Sequence, residues 1–449
     1  MKKVAILFVV LLTSSFLFAQ KTYVPDDKFE QALIDLGYDT TLDDSVLTAN
    51  ISGVTVLDVS RKSISDLTGI EAFTSLIDLS CAVNQLTSLD VSNNTALEVL
   101  NLDDNQLTSL DLSKNTALTY LTCWDNELTS LDVSNNTALY WLAPVGNQLT
   151  SLDVSKNTAL IELNVHGNQL TGLDVSANTV LSHLNCNHNQ LTSLDVSNNT
   201  ALTSLECWNN QLTSLDVSAN TALTWLNCAI NQLTSLDVST NTALTGLSCY
   251  SNQLTTLDVS NNTALTGLWC GANDLTSLDV SSNTALNELH CNHNQLTSLD
   301  VSANTDLTEL HCFNNQLTSL DVSKNTALDE LQVQDNQLTT LDLSNNTALA
   351  TLHIEHNQLT YLNMKNGVTD ELEYFTARNN SLTCIETSDP DYATANWTNI
   401  DSGVTFGVFC SSVDRTKWHV ATTGSDGSGS GTEASPLASI QTAINASTD

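Results

Sequence analysis

The sequence predicts a mainly β, α/β-poor solenoid, and three observations carry that prediction. Fourteen asparagines from Asn84 to Asn357 recur every twenty-one residues without a slip, each inside a close copy of NQLTSLDVSNNTALTxLxC. A fixed period between about twenty and fifty residues marks one supersecondary unit stacked on itself, each unit too small to bury its apolar face alone. Within a repeat, Leu205 and Cys207 alternate with Ser204, Glu206 and Trp208. That is strand periodicity with the apolar side inward. A second asparagine series, thirteen copies from Asn94 to Asn346, marks a second turn in every repeat. Each coil is therefore read as two short extended runs joined by two asparagine turns, with Leu212, Leu215 and Val217 filling the core between Asn210 and Asn220. The ladder asparagines are expected to bond backbone groups of neighbouring coils, because a buried turn has few other partners.

In chain order, residues 1–19 read as a secretory signal peptide: Lys2 and Lys3, an apolar run from Val4 to Leu12, then Ser14, Ser15 and Ala19, with cleavage after Ala19. Residues 20–53 form a cap. Pro25 and Asp26 start a helix, Phe29, Leu33 and Leu36 share one face, and Gly37 ends it, so that the helix covers the open apolar end of the first coil. The repeats occupy residues 54–382, opening on an irregular lead-in coil, LDVSRKSISDLTGI, and ending after a two-residue insertion that moves the last ladder position to Asn380. Residues 383–412 form a C-terminal cap, and residues 413–449 a change in character.

Composition narrows the function. A net charge of −37 with only thirteen Lys plus Arg excludes nucleic acid and anionic lipid as partners, since both demand clustered basic residues. It favours a self-repelling, monomeric surface. Much of the charge is architectural, because thirteen aspartates from Asp90 to Asp342 hold one repeat position, LDVS. Each is expected to accept bonds from backbone amides just downstream. No stretch beyond the leader is long and apolar enough to span a bilayer.

Eleven cysteines would suggest a disulfide framework in an exported chain. Nine of them, Cys81, Cys123, Cys186, Cys207, Cys228, Cys249, Cys270, Cys291 and Cys312, lie three residues before a ladder asparagine, where other coils place Leu102, Val165, Val333 or Ile354. Cysteine there is a small buried apolar residue. Side chains in register point the same way, which disfavours cross-coil bonds although strand spacing of about 4.8 Å would permit them. Cys384 and Cys410 have no apolar counterparts and are the candidates for one disulfide.

The LxxLxCxxNQL pattern over residues 54–382 resembles a leucine-rich repeat, and its length and recurring cysteine look most like the internalin J type of listerial adhesin. The cap YVPDDKFEQALIDLG and the ending NNSLTCIE…NWTNID are similar to those of exported Bacteroidetes leucine-rich repeat proteins. The resemblance implies a right-handed superhelix with a parallel sheet on a concave face, a secreted or cell-surface bacterial location, and binding rather than chemistry. WHVATTGSDGSGSGTEASPLASIQTAIN resembles the first segment of a right-handed parallel β-helix domain, expected to continue past Asp449.

Where every other position is frozen, function lies in what varies. Positions six, four, two and one residues before each ladder asparagine are read as outward, and they hold five of seven tryptophans and eight of nine histidines. The expected ligand face comprises Tyr120, Trp124, Trp141, Trp208, Trp225, Tyr250, Trp269, Glu288, His290, Glu309, His311 and Phe313. Exposed aromatics there suit sugar faces or a protein hot spot. No metal or other cofactor is expected: Glu–His pairing explains the patch of Glu288, His290, Glu309 and His311, although two imidazoles and a carboxylate are zinc-type ligands. Calcium bridging between LDVS carboxylates is the remaining cofactor reading. No nucleophile elbow and no phosphate-binding GK[ST] occur, so no catalytic residue is assigned. The sequence thus points to a non-catalytic exported binding or adhesion protein with a protein or carbohydrate ligand. Its rivals are a targeting module for a carbohydrate-active β-helix enzyme and a structural spacer.

Overall fold

The computed structural model describes residues 20–410. The expected leader and the expected β-helix start lie outside them. The chain divides into two compact units, Met1–Leu160 and Ile161–Asp449.

The first unit begins with the cap. Strand Lys21–Tyr23 pairs antiparallel with Ser45–Leu47, and a helix runs from Asp27 to Asp35. Asp26 caps that helix, one carboxylate oxygen accepting from Lys28 N and Phe29 N, while the other takes Ser65 N at 2.8 Å and Asp66 N at 3.1 Å. One side chain thus fixes the helix start and ties it to the lead-in coil. Phe29 and Leu33 are buried, each contributing about 2 kcal/mol of apolar burial, and Phe29 faces Phe73 at 6.4 Å. Leu36 does not join them. It is 47% exposed because it is the C-cap residue, and Gly37 at φ +82° then reverses the chain. Buried Glu30 accepts from the amides of Asp43, Asp44 and Ser45. Strands Val56–Asp58, Asp78–Ser80, Val99–Asn101, Tyr120–Thr122 and Trp141–Ala143 follow in one parallel, in-register sheet.

The second unit repeats the plan. Parallel strands run from Glu162–Asn164 to Tyr374–Thr376, each pairing with its successor and each burying its central leucine, or Phe375 in the last. Two asparagine ladders hold the coils. Asn210 accepts from Leu191 N at 2.9 Å and donates to the carbonyls of Cys186 and Cys207 at 3.0 and 3.1 Å, so it bridges two coils. Fully buried Asn220 donates to Val196 O and Asn199 O.

The second extended run of the coil departs from the expectation. Among the described residues it forms a strand only from Thr340–Asp342 onward, where a small parallel sheet continues through Tyr361–Met364, Cys384–Thr387 and Thr405–Gly407. In earlier coils the LDVS aspartate takes the serine amide, as Asp216 does from Ser218 N at 2.9 Å. The same bond forms where the run is a strand, Asp342 taking Ser344 N at 3.0 Å, so it shapes the turn locally without deciding the pairing between coils. The unit closes with helix Pro390–Asn396, capped by Asp389, and with Trp397 buried against Phe375 and Phe406. Cys384 and Cys410 form a disulfide with their Cα atoms 5.4 Å apart.

The nine repeat cysteines are free and fully buried. Burial pushes the thiols of Cys186, Cys228 and Cys312 up to about 12, and raises those of Cys207 and Cys249 well above the ordinary thiol value. Cys186 Sγ donates to Glu206 O of the next coil at 3.5 Å, and the strand amides do likewise, Cys207 N bonding Asn227 O at 2.8 Å.

Candidate functional site

Each strand is three residues long with a buried centre, so its two flanking side chains face outward. These are the positions six and four residues before the ladder asparagine. They carry Tyr120, Trp141, Trp225, Trp269, Glu288, His290, Glu309 and His311 of the expected face. Trp124, Trp208, Tyr250 and Phe313 stand two residues before it, past the strand end, on the loop. The position immediately before it is not outward strand either. His188, His293 and His356 there have positive φ, because the chain turns at that point.

In the first unit Tyr120 and Trp141 stack at 5.4 Å with an interplanar angle of 23°, and Tyr140 adds a third ring 6.4 Å from Tyr120. Neighbouring strands in register produce the stack directly, since Tyr120 pairs with Trp141.

In the second unit the aromatics of the expected face sort into separate groups. Trp208 belongs with His188 and His166, at 4.0 and 6.4 Å. Trp225 and Trp269, two coils apart, meet at 5.7 Å. They can meet because two glycines make room: a Cβ at Gly246 would overlap the Trp225 ring, and one at Gly267 the Trp269 ring. Both glycines occupy the outward position six residues before the asparagine, where neighbouring coils carry Trp225 and Glu288. Two adjacent glycines at a position meant for side chains are the signal in the sequence that could have shown this floor.

The strip continues through imidazoles. Trp269 meets His290 edge-on at 6.2 Å, His290 stacks on His311 at 4.0 Å, and His311 lies 6.4 Å from Phe313. His311 Nε2 bonds Glu330 Oε1 at 3.0 Å, whereas His290 Nε2 lies 3.5 Å from Glu309 Oε2, is itself shielded from solvent and makes no hydrogen bond. Burial, then the charge of His311, lowers the His290 pKa to about 4. Glu309 is raised by burial and by Glu288 and Glu330, its in-register neighbours. No described strand of this sheet carries Lys or Arg at an outward position. The face is therefore aromatic and acidic.

Parallel in-register strands, one per coil, with asparagine ladders at the turns define a leucine-rich repeat solenoid, the fold of protein-binding and adhesion modules. The family model described as Leucine Rich repeats (2 copies) matches residues 284–325. A second, the LVIVD repeat, matches residues 117–143, whose two strands pair in parallel like the rest. The chain is similar to the functional domain of InlJ from Listeria monocytogenes, whose structure includes a cysteine ladder: 37% identity, 82% of each chain covered, TM-score 0.75. It is also similar to a leucine-rich repeat protein of Leptospira interrogans, with 25% identity over 80% of this chain and 97% of the other, TM-score 0.69. Internalin J of Listeria monocytogenes serotype 4b (strain F2365) is 39% identical over 73 residues, 16% of this chain and 8% of that protein's length. The chain belongs to the leucine-rich repeat family, as an internalin-like member with a cysteine ladder.

Among the described residues no helix is long and apolar enough to cross a membrane.

Proposed function

We propose that this is an exported, non-catalytic binding or adhesion protein whose ligand, a protein or a glycan, is held on the outward face of the parallel strands. One observation carries the reading: in repeats that are otherwise fixed, the free positions build a continuous aromatic strip, Trp225, Trp269, His290 and His311, floored by Gly246 and Gly267. A merely solvated surface would carry Ser, Thr or Lys there. Flat rings on an acidic, lysine-free face suit the apolar faces and hydroxyl groups of sugars, or a neutral to basic protein patch.

The test is a screen of the chain against glycan and protein arrays, followed by Trp225→Ala with Trp269→Ala. Loss of two hot-spot aromatics is expected to weaken the selected ligand at least about tenfold. Binding that survives the double substitution unchanged would remove the strip from the site.

A further inference from the structure

The geometry points to a binding site for one divalent transition-metal ion of the zinc class, made by His290, Glu309 and His311. Each of these residues offers a ligand atom, and the three atoms lie within 4.8 Å of one another. The sheet puts them there: His290 and His311 are in-register partners on adjacent strands, and Glu309 flanks the same central leucine as His311.

Several independent observations favour an ion over simple pairing. Atoms bound to zinc at about 2.0–2.2 Å stand roughly 3.5 Å apart, and His290 Nε2 already lies 3.5 Å from Glu309 Oε2. That nitrogen is shielded from water and makes no hydrogen bond, so it holds an acceptor lone pair or an N–H with nothing to bond. Three carboxylates, Glu288, Glu309 and Glu330, stand in one register with no Lys or Arg among the outward strand residues to offset them. A cation between coils would relieve that repulsion. Glu330 bonds His311 and is itself bonded by Gln332 at 2.5 Å, the carboxylate–imidazole arrangement that orients ligating rings. Two imidazoles and one carboxylate are borderline ligands, suited to zinc, cobalt or nickel rather than to calcium. Three protein ligands leave a coordination position for water or for an oxygen of a bound partner.

The site adjoins the Trp225–Trp269 pair through His290, but ion uptake is measured without the ligand, so its failure is distinguishable from failure of ligand recognition. The test uses the full, tag-free chain with its repeat thiols reduced. Zinc chloride titrated by calorimetry should show one equivalent bound, and neither calcium nor magnesium should compete. His290→Ala and His311→Ala should each weaken uptake roughly 10–100-fold, with Glu309→Gln in the same direction. Cobalt, as a visible probe, should give ligand-field bands without thiolate charge transfer. His290→Gln and His311→Gln serve if an alanine variant unfolds, each checked by thermal unfolding without metal. His166→Ala with His188→Ala should leave uptake unchanged. The proposal is overturned by wild-type protein that takes up no zinc, by uptake that survives loss of both His290 and His311, by loss on removing His166 and His188, or by a thiolate band.

Discussion

The residue before each ladder asparagine from Asn84 to Asn380 has positive φ, yet it is glycine only at Gly146 and Gly167. Elsewhere it is Asp, Asn, His, Ser or Ala, and twice a β-branched residue, Val83 at φ +56° and Ile230 at φ +50°. Left-handed backbone costs an L-residue roughly 1–2 kcal/mol, and β-branched side chains tolerate it worst, whereas asparagine accepts it readily. Asn209 occupies the same position one coil earlier at φ +56°. Ile230→Asn should therefore stabilise the protein by about 1 kcal/mol, since Ile230 is 42% exposed and gives up little burial. Guanidinium unfolding should show a higher midpoint at unchanged slope, and a lower midpoint would refute the strain argument. This property was not legible in the sequence, because residues as different as Val83, Ser251 and His356 share the position and only the neighbouring Asn fixes the turn.

The strand is the element that the sequence shows most clearly. Leucine at its centre and cysteine two residues on follow the period of two, and every such leucine in the regular repeats is buried. The LDVS run shows its limit: alternation alone reads as a strand, but among the described residues the run pairs between coils only from Thr340–Asp342 onward, and the aspartate–serine bond is common to paired and unpaired runs. The glycine floor escaped for a related reason. Gly246 and Gly267 each pattern as an ordinary variable residue; their succession at one outward position is the sequence signal, and the ring positions from neighbouring coils show its use. The cysteine column gives the test at this scale. Its thiols are buried and free, and burial raises them from about 9. Native protein at neutral to mildly alkaline pH should be inert to a thiol reagent, and denatured, unreduced protein should release nine thiols. Rapid reaction of the native chain would contradict the burial. Linkage gives the sign with pH: a folded pKa raised above the unfolded value near 9 contributes stability that is complete below that value. It is lost as pH rises from about 9 toward 12, so the melting temperature should fall in that window.

For the whole molecule the dominant electrostatic fact is −37, and the aspartate ladder supplies much of it in a fixed pattern. Self-repulsion alone would make the protein more stable as acid neutralises it. The geometry argues the reverse. Asp216, Asp237 and Asp258 are lowered below the ordinary 3.8 first by hydrogen bonds from the serine side chain, then by the serine amide, while repulsion from neighbouring aspartates ranks behind both where it is felt. A depressed folded pKa means that the folded chain binds fewer protons than the unfolded chain at acid pH. The contribution is complete above the unfolded value and is lost as pH falls from about 4 downward. These groups are exposed and individually weak, so their weight comes from repetition along the coils. From about pH 7 to 5 the aspartates leave the melting temperature unchanged, and only His290, lowered to about 4, costs stability as the pH falls; below about pH 4 the loss of the aspartate contribution should steepen the drop. In the triple variant Asp216→Asn, Asp237→Asn and Asp258→Asn, which keeps an oxygen to accept the serine amide but cannot titrate, that acid drop should be shallower. Calorimetric scans at low and moderate salt would decide the matter: a wild-type melting temperature that climbs on acidification would show that repulsion, and not the local serine bonds, governs the ladder.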